Sequence, residues 1–207
     1  SPPRPRDTVH DTQLIQDAKN GSSEALNALF GRYGSKLLML IRLRMGPSLR
    51  NRLESRDVLQ QTMLKAYERL EQFGGSGQTS MMAWLGVIAR NEIRDQARFF
   101  GRGGRDAARD VPLEVASDVA DQLRTEVSRL HWMAQAQRLE TAIESLDASH
   151  REVVLLRRFE ELSFSEIGAL LDKSPDASRM LYARAMAALT VKLRDLESSP
   201  IADGRED

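Results

Sequence analysis

Three hydroxyl side chains between Ser149 and Leu196 constrain this chain more than any other feature, because each stands where a helix has to begin. Ser149-His150-Arg151-Glu152 has capping-box spacing, in which the serine oxygen accepts the amide three residues on and the glutamate reaches back to the cap amide, so a helix is expected to open there. Val153, Leu156 and Phe159 follow on one face, thickened by Val154 and Leu155, until Glu160 and Glu161 interrupt as a solvated pair. Ser163-Phe164-Ser165-Glu166 repeats the box and opens a short helix with Ile167, Leu170 and Leu171 as its apolar positions. Asp172 and Lys173 leave room only for a tight turn. Ser174 is then the next cap, with Pro175 at the first helical position, where a missing amide costs nothing, and Asp176 at the positive end of the dipole.

A short helix, a turn of about three residues and a second helix form the helix-turn-helix, whose second helix meets base edges in the major groove with its N-terminal residues. Here those residues include Ser178, Arg179 and Arg184. The planar fork of Arg179 matches the two major-groove acceptors of guanine, and Lys173 and Arg184 suit phosphates. An ordinary helical bundle with solvated charges would show the same punctuation. Charge weighs against tight binding: residues 131–197 hold nine Lys plus Arg against eleven Asp plus Glu, so this part alone would bind DNA weakly.

Elsewhere Gly and Pro punctuate helical periodicities and nothing alternates with period two, which predicts an all-α chain. With thirty basic and thirty acidic residues in 207, any contact with nucleic acid must rest on local patches. The absence of cysteine excludes disulfides and thiolate metal sites. His10, His131 and His150 are isolated, and neither a phosphate-cradling glycine loop nor a catalytic motif is present, so neither an enzyme nor a bound cofactor or metal is expected. No apolar run approaches the roughly 18 residues of a membrane span, and the default location is the cytoplasm.

Residues 1–11 read as a loose tail. A short amphipathic helix carries Leu14, Ile15 and Ala18 and ends at Asn20-Gly21. Ser22 or Ser23 caps the next helix, with Leu26, Leu29, Phe30, Tyr33 and the run Leu37 to Leu43 inward, stopped at Gly46-Pro47. Arg42, Arg44, Arg50, Arg52 and Arg56 make a basic patch around that stop, suited equally to solvent or to a phosphate or protein partner. From Glu54 to Phe73 the stripe Leu59, Met63, Ala66 or Tyr67, Leu70 and Phe73 predicts one long helix, with Asp57, Gln60, Gln61, Lys65 and Glu68 on its other face. A glycine-rich loop comes next. Ser80 then caps a helix with Trp84, Leu85, Ile88 and Ile93 inward, while Arg90, Arg94 and Arg98, spaced four apart, stand in one row with Asn91 beside it and Glu92 and Asp95 diluting the charge.

The run Ser55-Arg56-Asp57-Val58-Leu59-Gln60-Gln61-Thr62-Met63-Leu64-Lys65-Ala66-Tyr67, then Phe73-Gly74-Gly75 and Ala83-Trp84-Leu85-Gly86-Val87-Ile88-Ala89-Arg90-Asn91, closely resembles the second conserved region of bacterial sigma factors of the extracytoplasmic-function group. Arg151 to Arg157 and Leu162 to Gly168 resemble the fourth region of the same group, in the family's order. The resemblance implies two small helical domains, residues 12–100 and 131–197, joined by a linker over 101–130 and succeeded by an acidic tail over 198–207. It also implies binding of core RNA polymerase through Asp57, Gln60, Gln61 and Lys65. Minus-ten promoter DNA would be opened and held by Arg90 and Asn91, with Arg94 and Arg98 on the backbone. The minus-thirty-five element would be read by Lys173, Ser178, Arg179 and Arg184. Many relatives are held inactive by an anti-sigma factor, which makes such a protein a further expected partner.

Departures from the family pattern are also visible. Asp172 stands where glycine is common, Ala177-Ser178-Arg179-Met180-Leu181 replaces a Thr-Val-Lys-Ser-Arg type of run, and the connection from Arg44 to Glu54 is longer and richer in arginine. A stand-alone LuxR-type regulator shares the C-terminal motif, but Gln13 to Arg98 lacks the βα alternation of a phosphoacceptor domain.

Overall fold

The structure, a computed structural model, describes residues 8–74, 80–101 and 126–198, and the described residues form helices joined by short turns, without a strand. The chain divides into two compact units, Ser1–Leu123 and Arg124–Asp207. The loop at 75–79, most of the expected linker and both terminal tails beyond Thr8 and Ser198 lie outside the described residues.

In the first unit α1 (Thr8–Lys19) packs on α2 (Ser23–Arg50), and α2, α3 (Ser55–Glu68) and α4 (Met81–Gly101) pack on one another. α1 starts inside the expected loose tail: no Gly or Pro lies between Thr8 and Asp17, so the helix propagates back a further turn. It ends where expected, at Gly21 with φ +89°, and Ser22 rather than Ser23 caps α2, its hydroxyl accepting the Ala25 amide at 3.2 Å. Along α2 the residues Leu37, Leu40 and Ile41 are completely buried, the i, i+3, i+4 pattern of an inward stripe. Gly46 (φ 66°, ψ 168°) breaks α2, yet helix resumes and runs on to Arg50; the break is a kink and not the expected end. Across it the Arg50 guanidinium donates to the Arg42 carbonyl at 3.1 Å, so two of the clustered arginines are folded together.

The expected long helix to Phe73 is shorter. α3 ends at Glu68 and a 3₁₀ turn over Leu70–Gln72 completes the segment, which lets both Leu70 and Phe73 be buried. The expected Met63, Leu70 and Phe73 are buried, as is Ala66 rather than Tyr67, which is exposed; Val58 and Thr62 join them, while Leu59 is only half-buried. Thr62 is tolerated inside because its hydroxyl donates to the Val58 carbonyl at 2.7 Å. Phe73 stacks on Trp84 with centroids 5.0 Å apart, and Lys19 Nζ donates to the Phe73 carbonyl at 2.7 Å, pinning the segment that leads into the glycine loop. Ser80 caps α4 as expected, accepting the Ala83 amide at 3.1 Å.

In the second unit α5 (Glu126–Glu144), α6 (Ala148–Val154) and α7 (Phe164–Leu171) pack against α8 (Pro175–Ser198). α5 absorbs residues 126–130 of the expected linker. α6 opens at Asp147, not Ser149. The Asp147 carboxylate accepts the amides of Ser149 and His150 at 3.0 and 2.9 Å, and an aspartate placed two residues earlier, with φ −60° and ψ 159°, takes the cap from the serine. The His150 amide, then the Ser149 hydroxyl, holds that carboxyl below the ordinary aspartate range. Val153 to Leu156 are all buried, and the chain then widens into a π turn over Leu155–Phe159, with the Glu160 amide donating to the Leu155 carbonyl at 3.1 Å. The extra residue in this turn rotates the chain beyond it, and Glu160, expected at the surface, is completely buried instead. Glu161 adopts φ +61° to leave the turn.

Candidate nucleic-acid interface

α7, a three-residue turn and α8 form a helix-turn-helix whose local causes can be read residue by residue. Ser163 and Glu166 make the expected capping box: the serine hydroxyl accepts the Glu166 amide at 3.2 Å and Glu166 accepts the Ser163 amide at 2.7 Å. α7 ends because Asp172 turns left-handed (φ 53°, ψ 50°), a conformation that favours glycine and that a short polar side chain accepts at modest cost. The Asp172 amide donates to the Gly168 carbonyl, and the Lys173 amide donates to it as well at 2.9 Å. Gly168 is required here for space: a Cβ on it would lie 2.5 Å from the Lys173 carbonyl oxygen. Ser174 then caps α8, accepting the Ala177 amide at 3.1 Å, with Pro175 in the first turn.

This geometry presents the N-terminal part of α8. Asp176, Ala177, Arg179, Met180, Ala183 and Arg184 are exposed, as is Lys173 in the turn, while Ala185 and Leu189 face the core. Ser178 is the exception to the expected set. It is completely buried, its amide bonded to the Ser174 carbonyl, because the first turn of α8 presses that side against the rest of the unit, so its hydroxyl is not on the surface. Arg179 is held: its guanidinium donates to Asp176 at 2.7 Å and lies over the Phe164 ring, 5.5 Å from the centroid. Arg157 also lies over that ring, at 4.9 Å, and donates to the Leu162 carbonyl at 2.8 Å, fixing the loop ahead of α7. Neither Phe164 nor Asp176 stands out for such a role in the sequence, since the arrangement crosses from one helix to the next. Only the Asp176–Arg179 spacing of three on a helix was open to detection.

In the first unit Asn91, Arg94 and Arg98 are exposed on α4 and Arg90 is half-buried. The row is less diluted by acid than its sequence implies. Glu92 is buried, paired with Lys65 of α3 and accepting from Gln96 at 2.8 Å, so its charge is neutralised within the unit; Asp95 lies 4.0 Å from Arg98. The same pairing changes the meaning of Lys65, which joins α3 to α4. On α3, Asp57 is exposed and Gln60 and Gln61 are half-buried. Among the described residues no helix is long and apolar enough to cross a membrane.

The second unit thus carries a helix-turn-helix, the arrangement of a DNA-binding protein, with an ordered arginine on its second helix, and the first unit carries a row of arginines beside an asparagine. Comparison with known proteins gives the class its family. The Sigma-70 region 2 family profile matches residues 29–102 and the Sigma-70 region 4 profile matches 136–189. The RNA polymerase sigma factor CarQ of Myxococcus xanthus is 30% identical over 180 residues, covering 86% of this chain and 95% of CarQ. The ECF RNA polymerase sigma-E factor of Escherichia coli K12 is 28% identical over 191 residues, 90% of this chain and 95% of that protein. Among solved structures, CnrH in complex with the cytosolic domain of CnrY matches with a TM-score of 0.53 at 26% identity, over 91% of this chain and 99% of that one. The chain belongs to the extracytoplasmic-function sigma factors and acts in transcription initiation as a DNA-binding factor. The region 2 match also removes the LuxR-type reading, since the first unit is not a ligand or phosphoacceptor domain.

Proposed function

We propose that the two units divide promoter recognition between duplex and single-stranded DNA while held on one core RNA polymerase. The observation that carries this reading is the exposed N-terminal surface of α8, where Arg179, ordered by Asp176, is exposed along with Lys173 and Arg184 on a helix whose other side is buried. Arg179 reads a guanine in the minus-thirty-five element through its fork, and Lys173 and Arg184 bind phosphates. At the minus-ten element Arg90 and Asn91 hold an unstacked base, and Arg94 and Arg98 follow the strand. Extruding a base costs a few kcal/mol, which contacts to that base repay. Asp57, Gln60 and Gln61 on α3 dock the polymerase, with Lys65 contributing chiefly by fixing α3 against Glu92. A second unit with a slight excess of acid binds DNA weakly alone; joined through the polymerase to the first, it gains effective concentration instead.

The chain works in the cytoplasm, where core polymerase and promoter are. CnrH was solved with the cytosolic domain of CnrY, and by that likeness the further partner of this chain is an anti-sigma protein. The test separates the surfaces. Asp57→Ala with Gln60→Ala should weaken binding to core polymerase measured without DNA, and Arg94→Ala with Arg179→Ala should leave that binding unchanged while lowering promoter binding by the assembled holoenzyme. Equal loss of core binding in both variants would contradict the division.

A further inference from the structure

We propose that Asp176 and Phe164 set the upstream base preference together with Arg179: Phe164 holds the guanidinium in position for a guanine, and Asp176 reads the neighbouring base as a cytosine. The inference rests on the assignment of α8 as the recognition helix and goes beyond it, to residues and a sequence preference.

The first half comes from what surrounds the guanidinium. An arginine on an exposed helix samples many rotamers, and ordering it on DNA costs part of the contact energy. Here the Arg179 guanidinium carbon lies 5.5 Å from the Phe164 centroid and one of its nitrogens is 2.7 Å from Asp176, so two directions are already set before DNA arrives. Phe164 is itself held. Tyr182 of α8 packs on it with centroids 5.8 Å apart, and Arg157 lies over the same ring while tied to the Leu162 carbonyl. The face that Arg179 rests on is therefore a fixed one, and Phe164 is a positioning residue.

The second half comes from charge. Asp176 is the second residue of α8, with its side chain 86% exposed, at the tip that approaches the duplex. A carboxylate brought among phosphates is repelled on every sequence, so its presence lowers affinity unless a base donor meets it. The major groove offers two such donors, the exocyclic amines of cytosine and adenine, and an acidic side chain pairs with cytosine. The bond to Arg179 uses one carboxylate oxygen and one of five guanidinium donors, so the pair offers an acceptor beside a donor fork. An acid in that place raises selectivity by penalising wrong bases more than by strengthening right ones.

The experiment uses holoenzyme assembled from the full chain and core polymerase, on a responsive promoter carrying each of the four bases at every upstream-element position. Initiation ratios between bases are taken within one preparation, so that the folded fraction cancels. Wild-type protein should prefer guanine at one position and cytosine beside it, each by roughly ten-fold. Asp176→Asn should move the second preference from cytosine to adenine, because an amide pairs with adenine, while the lost first-turn charge lowers the melting temperature by no more than a few degrees. Phe164→Leu should erode the guanine preference several-fold without altering the cytosine one, and Phe164→Tyr should restore it. If Asp176→Asn keeps the wild-type profile while Arg179→Ala flattens one position, the cytosine assignment is overturned and α8 still reads DNA. An intact guanine preference in Phe164→Leu overturns the positioning role. If neither Arg179→Ala nor Asp176→Asn alters any position, the recognition helix itself is wrongly assigned.

Discussion

Replacing Gly168 with alanine is the most informative single change to the helix-turn-helix, because two opposing effects of known size meet there. Alanine in place of glycine within a helix is favourable by up to about 1 kcal/mol. The added Cβ would lie 2.5 Å from the Lys173 carbonyl oxygen and 3.4 Å from the Pro175 nitrogen, both backbone atoms of the turn that cannot rotate aside. Restoring an ordinary 3.4 Å contact moves the turn by about 0.9 Å. Overpacking of this kind costs about 1–3 kcal/mol, so the clash wins and the net loss is of order 1 kcal/mol. Calorimetry of the full chain should show the transition of the second unit lowered by about 4–8 °C and that of the first unit unmoved. The displacement also reaches α8, which begins two residues beyond Lys173, so initiation at a temperature where the variant is folded should fall more than the folded fraction does. A variant with an unchanged or raised transition temperature and full activity would refute the argument, since helix propensity would then outweigh a contact that is not as close as described.

Other perturbations test other parts. Lys65→Met leaves the Glu92 carboxylate buried without its ammonium partner; with Lys65 partly exposed, a destabilisation of about 2 kcal/mol is expected by denaturant unfolding, and Glu92→Gln on the same background should recover much of it. Asp147→Ala should destabilise the second unit at neutral pH. Because the folded carboxyl is held below its ordinary range, that contribution is present above the unfolded value and lost as pH falls through the folded one, so melting temperatures of wild type and variant should converge below about pH 4. Arg90→Ala with Arg94→Ala should reduce promoter opening, read by permanganate reactivity of unpaired thymines, and lower the salt dependence of open-complex formation by about 0.7 for each single-strand phosphate no longer bound.

Where the controlling interaction was local, the sequence announced it. The Ser163–Glu166 box, the Ser174 cap with Pro175, the Ser80 cap and the turn at Gly21 involve groups within three or four residues of one another. Asp172 was recognisable as a residue that tolerates the left-handed turn. What escaped depended on competition or on distance. Ser149 has faultless capping-box spacing, yet Asp147 lies two residues earlier and takes the cap, and spacing alone does not rank two candidates. Glu160 beside Glu161 looks like a solvated pair, and only the π turn, which no periodicity encodes, turns it inward. Glu92 looks like a surface acid among arginines until Lys65, twenty-seven residues away, is seen to pair with it. Ser178 occupies a DNA-facing position by its place in the motif, but its angle around α8 faces the core. The helical class and the order of the two motifs were legible, then, while the orientation of individual side chains within the sites depended on tertiary packing.

The central claim, that this chain turns core polymerase into a promoter-specific enzyme, is tested most directly by adding it to sigma-free bacterial core polymerase and mapping transcript starts on a pool of genomic fragments. The account predicts discrete start sites that appear only with the protein present, preceded by two shared upstream sequence elements whose recognition is lost separately in Arg179→Ala and in Arg90→Ala with Arg94→Ala. Core polymerase that neither binds the folded, inhibitor-free protein nor gains specific starts from it would contradict the account.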